Sequence, residues 1–390
     1  MSGAAAHPAQ GDPVHGHLVH GHLVHGMGTA LEAPAWPAIT DEEAEAVLAR
    51  FVGAGHLAAL RWHSPRPFSA ATLVETDRGT FFLKRHHHRL RSPAALAEEH
   101  AFMAHLRAAG QPVPEVIAAR DGSHSVTCGD QVYELHARAS GRDLYRDRQS
   151  WTPFLSHGHA YEAGAALARL HRAAGNFAAP ARGAHPLVAS FSILPSSDPQ
   201  AAAQAYVAAR PALSAFLAGG SWLQELSRLF AALGTGLAAR LACQPPLWSH
   251  GDWHPSNLLW SAQGAVSAVF DFGLATKTCA LHDLATAIER TAIPWLDGDP
   301  VPDAAAANAL LAGYGSVLPL SRVDIADLVA VLPLVHVEFA LSEIDYFAGI
   351  LGDRDQAELA WQSYLIGHAE WFLSPTGQSF LRELGGRTAA

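Results

Sequence analysis

An aspartate, an asparagine and a second aspartate stand in order within SHGDWHPSNLLWSAQGAVSAVFDFGLATKTCALHD, the stretch from Ser249 to Asp283. Asp252 follows His250-Gly251, Asn257 comes five residues later, and Asp271 opens a Phe272-Gly273 pair fourteen residues beyond that. These residue types at these intervals suit transfer of a phosphoryl group from a magnesium nucleotide to a hydroxyl. Asp252 would orient and deprotonate the attacking hydroxyl. Asn257 and Asp271 would hold Mg²⁺ against the phosphates, since that ion takes one or two carboxylates and fills its shell with water and phosphate oxygens.

The surrounding residues read as the elements that bring these groups together. A short loop closed by Pro255 presents Asp252 and Asn257 in different directions. Leu258-Leu259-Trp260 reads as a short buried strand, Ala262-Gln263-Gly264 as a hairpin turn, and Val266 to Phe270 as the returning strand. The hairpin returns Asp271 to the side of Asn257.

Upstream, the pattern predicts a helix from Glu42 to about Gly53, capped by Asp41. Strands follow at Leu57 to Trp62, Ala71 to Thr76 and Thr80 to Arg85, the last two joined through Asp77-Arg78-Gly79. Lys84 follows Phe81-Phe82-Leu83 and can reach the α and β phosphates of a nucleotide. Ser92-Pro93 opens a helix from Ala94 to about Ala109, with Leu96, Phe102, Met103 and Leu106 as its apolar face. Glu98 and Glu99 lie midway along it. Glu99, seven residues before Leu106 and close to the same face, is the expected partner of Lys84, and Glu98 is expected to be solvated. Further strands are expected at Val113 to Ala119 and Val132 to His136. The crossover to a second lobe falls near Leu135 to Arg138, where backbone groups of Leu135 and His136 would meet adenine edge-on.

From Trp151 the chain reads as mostly helical, with helices at about 154–174, 200–218 and 222–242 and a loop over 180–199. His171 reads as a core histidine, and Asp283 as the head or cap of a helix from Leu284 to Arg290. A helix started or kinked by Pro333 runs to about Ala348. It sets His336, Phe339, Glu343 and Tyr346 on one face and Glu338 and Asp345 on another. His336, Glu343 and Tyr346 are the candidate acceptor-binding residues; the plainer alternative is one packed and one solvated face.

With 390 residues, 49% of them hydrophobic, the chain is long enough for two lobes with cores. No apolar run has the roughly eighteen residues that mark a membrane span, and the N-terminus lacks a secretion-signal pattern. The scattered Cys128, Cys243 and Cys279 make no disulfide framework. A cytoplasmic protein with no membrane partner is expected. A net charge of −10 argues against nucleic acid as a partner. Residues 1–35 read as a separate tail: HGHLV occurs at His15 and again at His20, and six histidines fall in the first 26 residues. With no acid or cysteine partners that fix a geometry there, a disordered extension is expected, and sequestration of a divalent metal is the alternative.

On these motifs the chain resembles the aminoglycoside phosphotransferase/choline kinase superfamily over about residues 50–290. HGDWHPSN matches the HGDxxxxN loop, which implies Asp252 as catalytic base and Asn257 as Mg²⁺ ligand. Asp271 of FDFGLA matches the second metal aspartate, and Lys84 and Glu99 match the paired lysine and helix glutamate. The segment AEEHAFMAHLRAAGQPVPEV is similar to the same region of the bacterial stress-response kinase of that superfamily, taken to phosphorylate protein Ser/Thr. The resemblance implies an α+β, bilobal protein kinase-like fold. A small β-rich N-terminal lobe would span 36–136 and bind the nucleotide. A larger helical lobe, 137–390, would carry catalysis and the acceptor. It also implies ATP and Mg²⁺. The chain departs from the pattern in the His63–Ser69 loop, which has no glycine and carries Pro65 and Pro67, and no Ala-Pro-Glu follows Asp271. A eukaryotic-type regulated protein kinase is therefore disfavoured. The expected acceptor is a hydroxyl of a small metabolite: a sugar, amino sugar, amino alcohol or hydroxy amino acid. An antibiotic or a protein Ser/Thr is the alternative acceptor. A catalytically silent nucleotide-binding protein is the alternative of another class, and the complete set Lys84, Glu99, Asp252, Asn257 and Asp271 speaks against it.

Overall fold

The structure is a computed structural model and describes residues 35–64, 68–146, 148, 150–188, 190–297 and 300–386. The histidine-rich tail and residues 65–67 of the expected nucleotide lid lie outside them. Helix α1 (Asp41–Leu48) is capped by Thr40, not Asp41. Thr40 Oγ1 accepts from the Glu43 amide, and the Glu43 carboxylate accepts from the Thr40 amide. Asp41 lies inside the first turn, where its charge suits the helix dipole.

Strands β1 (Leu57–His63), β2 (Ala70–Thr76) and β3 (Gly79–His87) form an antiparallel meander. Helix α2 (Pro93–Ala108) follows, capped by Ser92 with Pro93 at its start. Strands β4 (Val126–Cys128) and β5 (Gln131–Ala137) complete a five-stranded sheet in the order β1-β2-β3-β5-β4. The expected strand from Val113 to Ala119 reduces to isolated bridges, Val116 to His136 and Ala119 to Phe51. Pro112 and Pro114 lack the donors a ladder needs. Strand β4 was not anticipated, because its three residues are too few for a readable alternation. A small core, including Val47, Phe51, Val74, Leu83 and Leu135, lies between the sheet and α1.

The helical part begins with α3 (His157–Ala174). The two long helices expected next are each broken, giving α4 (Pro199–Ala208) and α5 (Pro211–Leu217), then α6 (Trp222–Leu233) and α7 (Leu237–Ala242). Pro211 supplies the first break, and Gly236, at φ 74°, follows the second. Strand β6 (Pro246–Ser249) leads into the catalytic loop and a 3₁₀ turn, Pro255–Asn257. The hairpin β7 (Leu258–Trp260) and β8 (Val266–Val269) forms as expected. Strand β9 (Thr276–Cys279) returns to pair with β6.

Helices α8 (Ala280–Ala292), α9 (Ala304–Gly315), α10 (Arg322–Val331), α11 (Val337–Tyr346), α12 (Arg354–Leu359), α13 (His368–Leu373) and α14 (Pro375–Gly385) complete the chain. Pro333 sits in a 3₁₀ turn, Leu332–Leu334, that joins α10 to α11. The helical stretch Arg322–Leu351 is long and apolar enough to cross a membrane by length and composition. Most of its apolar window is buried inside the protein, as in a core helix. Helices α3 and α9 touch at backbone distance: a methyl group on Gly164 would strike the Leu310 carbonyl, and one on Gly313 the Tyr161 carbonyl. The large core also takes in Phe102, Met103 and Leu106 of α2. Helix α2 thus packs its apolar face on the helical part while its chain neighbours form the sheet.

Candidate active site

The loop after β6 turns sharply at Gly251, whose φ of 75° is open to glycine. A buried carboxylate fixes that turn. Asp283, in the first turn of α8, accepts from the amides of His250 (2.8 Å) and Gly251 (2.9 Å) and lies 2.9 Å from His171 Nε2. His171 Nδ1 is 2.9 Å from the Tyr314 hydroxyl. His171 is the core histidine expected. Asp283 is not a cap, because α8 begins at Ala280; it is the clamp of the catalytic loop. Burial opposes its charge, but His171 and the loop amides outweigh that and hold its pKa low.

Asp252 is buried with both carboxylate oxygens engaged. Its Oδ2 accepts from Asn257 Nδ2 at 2.9 Å. Its Oδ1 is ion-paired with Arg290 and lies 3.3 Å from His254 Nε2. Burial alone would push the Asp252 carboxyl up, yet His254 and Arg290 hold it well below the usual carboxylate range. The Arg290 guanidinium sits over Trp151 (4.3 Å to the ring centroid) and Phe339 (5.0 Å). Sequence reasoning missed Arg290. The available signal was its position two turns after Asp283 on the same face of the helix.

Asn257 Nδ2 donates to the Asp252 carbonyl as well (2.9 Å), which turns the amide oxygen away from Asp252. The Phe270 amide donates to the Asn257 carbonyl (3.1 Å), so the hairpin sets Asp271 beside Asn257. Asp271 has φ 62°, a conformation costly for a side-chain-bearing residue, and its side chain is 28% exposed. Lys84 Nζ reaches it from β3 at 2.9 Å. Burial works against the lysine's charge, but Asp271, Glu134 and Glu99 outweigh it and raise its pKa.

The expected Lys84–Glu99 pair is corrected: the acid on Lys84 is Asp271. Glu99 is buried on α2, with Arg182 as its ion partner at 3.9 Å. Glu98 is the more exposed of the two acids, at 43%, and lies 3.5 Å from Arg182 Nε. The ring of Phe272 is buried against His250 (4.7 Å) and Phe102 (5.9 Å). The Gly273 carbonyl accepts from two buried arginines, Arg91 Nη2 (3.0 Å) and Arg182 Nη1 (2.9 Å). Arg182 Nη2 also donates to the Ala95 carbonyl of α2 (3.0 Å). Burial, with Arg182 nearby, lowers the Arg91 guanidinium to about 10.

Leu135 and His136 lie inside β5. The Leu135 side chain belongs to the small core and its carbonyl accepts from the Ile117 amide (2.7 Å). His136 Nε2 is 3.1 Å from Glu134 Oε2. The Leu135 carbonyl is thus already engaged within the fold, which corrects its reading as an edge-on adenine contact.

The three candidate acceptor residues do not share one surface. His336 and Phe339 line a small closed cavity together with Gly251, Glu289, Arg290 and Tyr364. Glu343 is fully buried, close enough to Arg290 for its charge to be felt there. Tyr346 points elsewhere: its hydroxyl accepts from Trp36 Nε1 (3.1 Å) and its ring meets Phe68 edge-on (5.2 Å). No face of α11 is solvated, which corrects that alternative. Glu338 accepts from the amides of Ser192 (2.8 Å) and Ile193 (3.1 Å), and Asp345 from the Leu213 amide (3.3 Å). In the cavity wall, burial raises Glu289 to about 7 against the pull of His336 and Arg290. Glu289 Oε1 lies 2.8 Å from His368 Nδ1.

Asn257, buried, and Asp271, partly exposed beside Lys84, offer the hard oxygen donors Mg²⁺ prefers. The arrangement can hold a polyphosphate at Lys84 and Asp271 and a hydroxyl at Asp252.

Residues 67–320 match the sequence model of the Phosphotransferase enzyme family. A homoserine kinase of Gluconacetobacter diazotrophicus is 28% identical over 275 residues, 69% of this chain and 75% of that protein. The solved microcompartment-associated aminopropanol kinase has a TM-score of 0.58 at 22% identity, covering 86% of this chain and 98% of its own. Amicoumacin kinase, solved with AMP-PNP and Ca²⁺, gives 0.54 at 15% identity, covering 87% and 91%. An aminoglycoside phosphotransferase from Alicyclobacillus acidocaldarius gives 0.50 at 19%, covering 93% and 99%. These likenesses show the fold, α+β and kinase-like, with the five-stranded sheet in the N-terminal part and helices in the C-terminal part.

Proposed function

The chain belongs to the phosphotransferase enzyme family and is a kinase, and on that premise we propose that it moves the γ-phosphoryl group of ATP to a hydroxyl of a small amine-bearing metabolite. A hydroxy amino acid or an amino alcohol is the favoured acceptor. The single observation that carries the reading is Lys84 Nζ lying 2.9 Å from Asp271 Oδ1, with Asp271 set beside the bonded pair Asp252 and Asn257. The acceptor class draws on the homoserine kinase and aminopropanol kinase named above and on the buried acids Glu289 and Glu343 near Arg290.

In this reading residues 36–136 bind the nucleotide, and 137–390 carry catalysis and the acceptor. Lys84 binds phosphate oxygens from the sheet side. Asn257 and Asp271 hold Mg²⁺, which when bound supplies positive charge against the phosphates. Asp252 accepts a hydrogen bond from the acceptor hydroxyl and aims its oxygen at the γ-phosphorus. As the new O–P bond forms, the bond to the bridging oxygen breaks, ADP leaves, and the hydroxyl proton passes to Asp252. Its low pKa makes Asp252 a weak base, so its main contribution is orientation, as suits a loose transition state. Use of ATP as donor fits a cytoplasmic location.

The test is ADP release by the full-length protein against a panel of acceptors: hydroxy amino acids, amino alcohols, neutral sugars, aminoglycosides and a Ser/Thr peptide. We expect turnover only with the small amine-bearing alcohols. Asp252→Asn should lower kcat by roughly two to four orders of magnitude, with nucleotide affinity retained. Undiminished turnover by that variant would remove Asp252 from its role, and turnover confined to peptide or sugar would overturn the acceptor class.

A further inference from the structure

Glu134 stands on β5 opposite Lys84 on β3, supports its charge, and has no direct role in the chemistry above. Its side chain is 1% exposed, and three imidazoles converge on it. His86 Nε2 lies 3.0 Å from Oε1; His100 Nε2 and His136 Nε2 lie 2.6 and 3.1 Å from Oε2. They come from β3, α2 and β5 respectively, and all three are buried. The ligating atoms of His100, Glu134 and His136 all lie within 4.8 Å of one another. Lys84, the nearby cation, is bonded to Asp271 instead.

We propose that His100 Nε2, Glu134 Oε2 and His136 Nε2 bind one divalent transition-metal ion of the zinc class, with His86 on Oε1 holding the carboxylate in place. Two imidazoles and one carboxylate are an established donor set for zinc, with metal–ligand bonds of about 2.0–2.2 Å. A histidine on the free oxygen of a ligating carboxylate is the outer support such sites use. The cluster spans a joint that matters. His100 is the residue after Glu99 on α2, and Glu134 faces Lys84 across the sheet. The ion would bolt α2 to β5 and so fix the helix that carries Glu99 against the strand that carries Lys84. It is separate from the Mg²⁺ site and independent of the acceptor's identity.

The test uses the full-length chain with His7, His15, His17, His20, His22 and His25 changed to glutamine, so that the tail binds no metal. After treatment with a chelator it is titrated with Zn²⁺ and with Co²⁺. We expect one equivalent of Zn²⁺ bound, a rise in Tm on binding, and visible ligand-field absorption from the Co²⁺ form. Glu134→Gln and His136→Gln should each lower affinity by roughly tenfold or more and abolish the absorption, with an unchanged circular dichroism spectrum. Should those variants misfold, X-ray absorption at the zinc edge of the tail-silenced chain decides: a shell with two imidazoles supports the site, and a shell of water oxygens alone overturns it. Absence of stoichiometric binding, or binding undiminished in both variants, also overturns it.

Discussion

Asp252 is held by a residue that the chain places thirty-eight positions later. Arg290 meets Oδ1 in a buried setting, so removing the guanidinium would leave a buried carboxylate short of its cation. We expect Arg290→Met to raise the Asp252 pKa and to move the acidic limb of the kcat–pH profile to higher pH. Arg290→Lys, which keeps charge but loses the planar fork, should shift it less. An unmoved limb in Arg290→Met would show that the pair does not govern ionisation. Glu289 gives a second pH signature. Its folded value, about 7, lies above the ordinary 4.5. Between those values the unfolded chain releases the proton first, so this group's contribution to stability falls as pH rises through that window. Urea denaturation at pH 5 and at pH 7.5 or so should show the decline in the wild type and a flatter response in Glu289→Gln. Asp252, Asn257, Asp271 and Lys84 were legible in the sequence because local spacing fixes where a loop and a hairpin put them. Arg290, Asp283 and the true partner of Lys84 were not, because each acts through a contact between elements distant in the chain.

Among the elements, α3 and α9 transmit packing to the catalytic loop. His171 on α3 and Tyr314 on α9 are bonded to each other, and His171 meets the carboxylate that clamps His250 and Gly251. Gly313 lies next to Tyr314 where the two backbones touch. Gly313→Ala should therefore destabilise by about 1–3 kcal/mol, the range for overpacking, and lower kcat as well. Gly315→Ala is the control: a Cβ there meets nothing within 4 Å, and helix propensity predicts no loss. Equal behaviour of the two variants in thermal denaturation would refute close approach as the cause. The hairpin after Asn257 was readable because a turn between two apolar runs has few other solutions. The breaks within residues 199–242 were visible only as Pro211 and the Gly234–Gly236 pair, which outrank helical periodicity when they fall mid-run.

At the scale of the molecule, several contacts join the sheet and the elements around it to the helical part, beyond the Arg91 and Arg182 bonds described above. Lys84 reaches Asp271, the Arg89 guanidinium donates to the Gly349 carbonyl (2.7 Å), and Trp36 and Phe68 both meet Tyr346. A nucleotide bound between the lobes would add to these ties. We expect saturating Mg-ATP to raise Tm, by an amount equivalent to about 2.7 kcal/mol at a hundredfold excess over Kd. Lys84→Met should lose most of that gain while keeping its unliganded Tm within a few degrees. A full ligand-induced shift in the variant would show that Lys84 does not hold the phosphates. The arrangement of a sheet followed by helices was legible from the change in sequence pattern along the chain. The allegiance of α2 was not, because an apolar helix face does not say which core it enters.

The carbonyl of Gly273 has a consequence for the peptide behind Asp271. Two guanidinium groups that repel each other are both tied to that one oxygen, and one of them also grips the start of α2. Swinging Phe272 outward would take one acceptor from each cation at once, leaving Arg91 on the Pro186 and Leu187 carbonyls and Arg182 on the Ala95 carbonyl. The peptide behind Asp271 is thus tied from two sides, by a cation beside the sheet and by one that also holds the first turn of α2.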